Sequence, residues 1–114
     1  MANNHPDTLS PLFAALSDPT RRAVIDALIS GPQPVSTLAA SHDMALPSFL
    51  KHLDRLEAAG LMTSRKDGRV RVCTLCADAL GPAETWLAQA RGRWAGKLDR
   101  LAAHLDATTQ ERKQ

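Results

Sequence analysis

Residues 46–59 read LPSFLKHLDRLEAA and run into Gly60, and winding them at 3.6 residues per turn separates two faces of opposite chemistry. Leu46, Phe49, Leu50, Leu53 and Leu56 gather on one side, and Ser48, Lys51, His52 and Arg55 on the other. The first face asks to be buried. The second offers a hydroxyl, an ammonium, an imidazole and a guanidinium to whatever lies outside. A solvated surface helix and a helix that enters a DNA major groove both fit this segment taken alone.

The flanking segments decide between them. Ahead of it, Leu9, Leu12, Phe13 and Leu16 recur at i, i+3, i+4 and i+7 and predict a short first helix. Asp18 as N-cap and Pro19 at the first helical position open a second, with Val24, Ile25, Leu28 and Ile29 as its buried stripe and Ser30-Gly31-Pro32 as its stop. A third starts at Ser36 as N-cap, turns Leu38 and Ala39 inward and ends near His42-Asp43. The fourth, from about Pro47 to Ala59, follows within a few residues and stops at Gly60.

Residues 61–66, Asp67-Gly68 and residues 69–75 then predict a β-hairpin. Asp-Gly tolerates positive backbone angles, and Val70 and Val72 alternate with Arg69 and Arg71. A last helix starts near Gly81-Pro82 and reaches about Ala107, with Leu87, Trp94, Leu98, Leu101 and Leu105 forming a long apolar seam.

A short helix, a tight turn and a second helix with a cationic outer face make a helix-turn-helix. The hairpin after it carries Arg65, Lys66, Arg69 and Arg71 around its tip and suits neighbouring phosphates or the minor groove. The expected fold is mainly α (α+β): a winged helix-turn-helix of five helices and one β-hairpin wing. Residues 1–7 are expected as a flexible N-terminal arm, 8–80 as the DNA-binding core, 81–107 as a dimerisation helix and 108–114 as a flexible tail.

Composition sets outer limits. A chain of 114 residues has room for one modest core, and two Trp, two Phe and no Tyr leave Leu, Val, Ile and Ala to fill it. A net charge of +2 permits nucleic acid without requiring it. No apolar run approaches the roughly 18 residues of a membrane span, the first residues (MANNHPDT) lack a secretory pattern, and two cysteines cannot build a disulfide scaffold. These features predict a cytoplasmic protein with no membrane partner. There is no Gly-rich phosphate loop, no HExxH and no nucleophile in a recognisable setting, so neither an enzyme nor a cofactor is expected.

The stretches LFAALSDPTRRAVIDALISG and VSTLAASHDMALPSFLKHLDRLEAAGLMTSRKDGRVRVCTL resemble the ArsR (arsenic-repressor) family of winged-helix regulators. DPTRR at the second helix, KHL and LEAAGL in and after the fourth, and DGR in the hairpin carry the likeness, which extends over residues 9–105. The tail, with Trp86, Trp94 and LDRL, is similar to the branch without metal sites. The resemblance implies a homodimer on an inverted repeat in double-stranded DNA, usually a repressor. The implied interface takes Leu9, Leu12 and Phe13 from the first helix and Leu87, Trp94, Leu98, Leu101 and Leu105 from the last. Many members have Ser-Gln where this chain has Ala45-Leu46, and Ser in place of Leu50. That leaves Ser48, Lys51, His52 and Arg55 as the base-reading set, with Arg65, Lys66, Arg69 and Arg71 in the wing.

The family's metal routes are missing their ligands. VSTLAASHD contains no cysteine, and His104 with Asp99 and Asp106 lacks the paired spacing of a tetrahedral site, so no metal is expected and the effector stays open. His5 falls in the arm, and His42 reads as a surface or capping residue. Cys73 and Cys76 have a redox spacing. On an extended strand, however, three residues span about 10 Å and the two side chains point to opposite faces, whereas a disulfide needs Cα atoms within about 7 Å. The alternatives to a DNA-binding regulator are a winged-helix protein-interaction module and a thiol-redox regulator acting through these cysteines.

Overall fold

A computed structural model describes residues 7–113. Its elements are α1 (Leu9–Leu16), α2 (Pro19–Ile29), β1 (Gln33–Pro34), α3 (Val35–Ala40), α4 (Leu46–Ala58), β2 (Met62–Asp67), β3 (Val70–Leu75), a 3-10 turn (Ala77–Leu80) and α5 (Gly81–Lys113). All five expected helices and the hairpin are present, with α1, α2 and α4 close to their expected bounds and α3, the hairpin loop and the end of α5 displaced. The two-residue β1 and the 3-10 turn were not expected.

Strand β1 pairs antiparallel with β3, setting Gln33 opposite Cys73 and Pro34 opposite Val72. The sheet order is therefore β1-β3-β2, with β3 in the centre. A proline can sit in an edge strand, since it has no N–H to give to a ladder on its outer side.

The chain divides after Ala83 into two units. In the first, Leu12, Val24, Phe49, Leu53, Leu56, Leu61, Met62 and Cys73 are almost wholly removed from solvent. They come from α1, α2, α4, the wing strands and the bend at Leu61, so α4 is seated on the core through Phe49, Leu53 and Leu56. Gly60, at φ +79°, ends α4 and turns the chain into Leu61 and β2. The Leu61 N–H returns to the Leu56 carbonyl at 3.0 Å, the long C-terminal bond of a helix closed by a left-handed glycine.

Four expectations about this unit need correction. Ile29 is 67% exposed, because Arg21, Val24, Ile25 and Leu28 already fill the buried face of α2 and its last turn reaches past the core. Leu46 is 54% exposed, since it opens α4 one turn ahead of Phe49, the first α4 residue to enter the core. α3 begins at Val35 behind Pro34, without a side-chain cap, so Ser36 lies inside the helix. The hairpin loop is Gly68-Arg69, with Asp67 paired to Val70 as the last rung. Gly68 at φ +67° beside a residue of negative φ follows the type II′ pattern, which needs glycine at its first central position.

In the second unit α5 continues as helix through Lys113, beyond the end expected at Ala107. The segment 108–113, expected as tail, is helical instead. Gln, Glu, Arg and Lys, which follow Thr109, are good helix formers, and the Thr108 and Thr109 hydroxyls are accommodated within the helix by bonds to the carbonyls of His104 and Leu105 at 3.0 and 2.9 Å. Along this unit Leu87, Trp94, Leu98, Leu101 and Leu105 are all about half exposed. No helix among the described residues is long and apolar enough to cross a membrane. The expected arm, with His5, lies almost entirely outside the described residues.

Candidate nucleic-acid interface

Successive helical residues are about 100° apart, so Phe49, Leu53 and Leu56 fix which α4 positions face outward. Ser48, Lys51 and Arg55 lie away from that stripe and are exposed. The two cations have no hydrogen bond or ion pair among the described residues, which leaves their full charge for a ligand.

His52 does not join them as expected. Its position lies on the flank, between the buried stripe and the outer face, and its side chain is only 22% exposed. The ring turns toward the start of α2: Nδ1 is 3.0 Å from Nη1 of Arg21 and 3.7 Å from Oδ2 of Asp18.

Asp18 caps α2 as its sequence position predicts, with Oδ2 accepting the Arg21 N–H at 3.1 Å. Desolvation pushes the Asp18 carboxyl up. The Arg21 N–H, the charges of His52 and Arg21 and the Thr20 N–H outweigh it and hold the group below the usual carboxylate range.

Arg21 is the buried charge of the unit, 7% exposed. Its Nε donates to the Ala15 carbonyl at 2.7 Å and its Nη2 to the Ala14 carbonyl at 3.0 Å. Arg22 Nη1 donates to the Leu16 carbonyl at 2.7 Å. Two consecutive arginines of α2 thus bond the last-turn carbonyls of α1, of which that of Ala14 also accepts from Ser17. Both belong to the DPTRR stretch, where the sequence alone assigned them no role. A signal was present, however. Cations in the first turn of a helix oppose its dipole, so a pair there calls for an acceptor elsewhere, and the C-terminus of α1 ends only a few residues earlier.

The wing cations divide by their distance from α4, not by strand face alone. Cys73 is buried, so Arg71 and Leu75 share its face, together with their cross-strand partners Ser64, Lys66 and Met62. Val70 is instead 46% exposed. Arg71, expected among the phosphate-binding cations, is committed within the protein. Its Nε donates to Ser64 Oγ at 2.9 Å, that hydroxyl donates to Glu57 Oε1 at 2.7 Å, and Arg71 Nη2 lies 3.7 Å from the same carboxylate oxygen. Arg65, Lys66 and Arg69 are exposed and carry no such bond among the described residues.

Both cysteines are free thiols, Cys73 buried and Cys76 half-buried. Burial pushes the Cys73 thiol up, Arg71 acts against that shift and Glu57 adds to it. The strand stays extended through Leu75, the geometry that separates the two side chains. Among the described residues no three His, Cys, Asp or Glu side chains gather as a metal site would require. His42 stacks on Phe49, with ring centroids 5.3 Å apart. Leu12, expected at a dimer interface, is 1% exposed and belongs to the core, whereas Leu9 is half-buried and Phe13 is 37% exposed.

The chain is similar to known regulators. A family profile described as a helix-turn-helix domain matches residues 16–65, from the end of α1 into β2. The HTH-type transcriptional regulator Rv2034 of Mycobacterium tuberculosis is 37% identical over 73 residues, 64% of this chain and 68% of that protein. The transcriptional repressor SdpR of Bacillus subtilis is 28% identical over 79 residues, 69% of this chain and 88% of that protein. The crystal structure of an ArsR family transcriptional regulator is 46% identical, with a TM-score of 0.74, over 78% of this chain and 98% of its own.

Proposed function

Because the chain belongs to the ArsR family of helix-turn-helix transcriptional regulators, a DNA-binding and non-catalytic class, we propose that it represses by occupancy, as a homodimer on an inverted repeat. Each α4 enters a major groove with Ser48, Lys51 and Arg55 foremost, and Arg65, Lys66 and Arg69 of the wing hold the flanking phosphates. The observation that carries this reading is the set of five exposed cations on α4 and the wing of one unit, none paired with a protein acceptor among the described residues. Arg71 is left out of the set because Glu57 and Ser64 already engage it.

A single module makes few base contacts, and a two-fold axis doubles them. The apolar positions of α5, from Leu87 to Leu105, supply a surface for pairing. A regulator of this kind works where the chromosome is, in the cytoplasm.

The test is selection of bound fragments from random duplex DNA, followed by titration of the selected site against scrambled DNA. A palindromic consensus bound at least about a thousandfold more tightly than scrambled sequence is the expected result. Equal affinity for both would remove sequence reading from the proposal.

A further inference from the structure

The imidazole of His52 stands between two neighbours with opposite demands. Asp18 Oδ2 can only accept, so it favours a proton on Nδ1. Arg21 Nη1 can only donate, so it requires a lone pair there. The distances, 3.0 Å to the guanidinium nitrogen and 3.7 Å to the carboxylate oxygen, decide for Arg21. The guanidinium is not free to yield, because its Nε and Nη2 are already tied to the carbonyls of Ala15 and Ala14 and it is buried.

The proton of the neutral ring must then sit on Nε2. No hydrogen bond among the described residues reaches that atom. Since no buried side-chain nitrogen or oxygen among the described residues lacks a partner, Nε2 lies at the solvent boundary of α4.

We infer that Arg21 is a positioning residue for DNA recognition: it fixes His52 as the Nε2–H tautomer, so that α4 presents a hydrogen-bond donor at this place and reads an acceptor. The acceptor is a purine N7, a guanine O6, a thymine O4 or a phosphate oxygen. The tautomer follows from contacts inside the protein. Only its use on DNA rests on the function proposed above.

Two measurements test the two parts separately. Long-range proton–nitrogen spectra of histidine-labelled free protein report the tautomer of the neutral ring without DNA. The expected spectrum shows Nε2 protonated and Nδ1 bare, with no tautomer mixture. In Arg21→Met, where Asp18 alone faces Nδ1, an Nδ1–H population appears. A wild-type ring carrying its proton on Nδ1, or averaging between both forms, overturns the assignment even if the variant does not fold.

The second measurement compares His52→Met with His52→Gln, which retains an N–H donor near the place of Nε2. On the selected site Met weakens binding by roughly three- to tenfold per half-site, and Gln recovers most of that loss. Gln binding no better than Met overturns the donor role while leaving the tautomer and the DNA-binding function standing. A loss confined to the selected site assigns a base as the acceptor, and an equal loss on scrambled DNA assigns a phosphate.

Discussion

Ser64 Oγ stands 2.7 Å from Glu57 Oε1, and through that hydroxyl the wing is fastened to the last turns of α4. Arg71 completes the link from β3, donating to Ser64 and facing the same carboxylate. One glutamate therefore orients the wing and occupies a cation that would otherwise be drawn to DNA.

Replacing Glu57 with Gln removes the charge that holds Arg71 and should release the guanidinium toward phosphate. The expected outcome is tighter binding to scrambled DNA, with a salt dependence steeper by about 0.9 for each phosphate newly engaged. Arg71→Ala, by contrast, should leave the slope nearly unchanged. Titrations at several salt concentrations decide the matter, and a slope that drops in Arg71→Ala would place this residue on DNA after all.

Arg69 has no such engagement. It sits in the two-residue loop at the wing tip, exposed and unpaired among the described residues. Arg69→Ala should weaken binding to every sequence alike and lower the salt slope by about 0.9 for each phosphate it no longer neutralises, about two units for a dimer with both wings engaged. A wing tip that stays clear of DNA would give the wild-type slope.

Arg71, held by Ser64 and Glu57 while Arg69 in the loop is unpaired among the described residues, shows what was legible in the sequence and what was not. Period and punctuation placed α1, α2, α4 and the hairpin, because Asp18-Pro19, Gly60 and Asp67-Gly68 act locally. Which strand parity faces the core depended on Met62, Cys73 and the β1 pairing opposite Cys73, all contacts between segments distant in sequence. The same distance hid Arg21. Its partners lie six, seven and thirty-one residues away, out of reach of any i, i+4 pattern. Lys51 and Arg55 were legible because helical period alone sends them outward once Phe49, Leu53 and Leu56 point in.

The depressed carboxyl of Asp18 makes a pH prediction whose sign is fixed. Its pKa is lower in the folded chain than in the unfolded one, so its stabilisation is complete above the ordinary carboxylate range. That stabilisation is lost as the pH falls through the folded value, below about 4. Asp18→Ala should lower the melting temperature at neutral pH, and the gap to wild type should narrow steadily in that acid window. A gap independent of pH would assign the whole effect to something other than the carboxylate charge.

Thiol reactivity should separate the two cysteines cleanly. Cys73 is buried and its thiol is pushed up by that burial, against Arg71 and with Glu57, so little thiolate is available to attack a reagent. Cys76 is half-buried beyond the end of β3. A disulfide reagent is expected to consume one thiol promptly and the second only at the rate of unfolding. Mass mapping should find the early label on Cys76, and early labelling of Cys73 would mean that the centre of the sheet opens readily.

The apolar positions of α5 give the last prediction. Trp94 is 62% exposed, and Leu98 and Leu101 about half, in a helix that also carries Arg, Lys, Asp and Gln. Apolar side chains at spacings of three and four on one helix are covered most economically by a second copy of the same surface, since a two-fold axis makes the patch its own complement. A glutamate at Leu98 would set two like charges close together in such an interface, whereas on a monomer it would merely be solvated. Leu98→Glu should therefore sediment as a monomer at concentrations where wild type is a dimer. It should keep the melting behaviour of the α1–β3 unit and lose affinity for the full inverted repeat far more than for a single half-site. If Leu98→Glu and wild type sediment alike, the pairing surface lies elsewhere on the molecule.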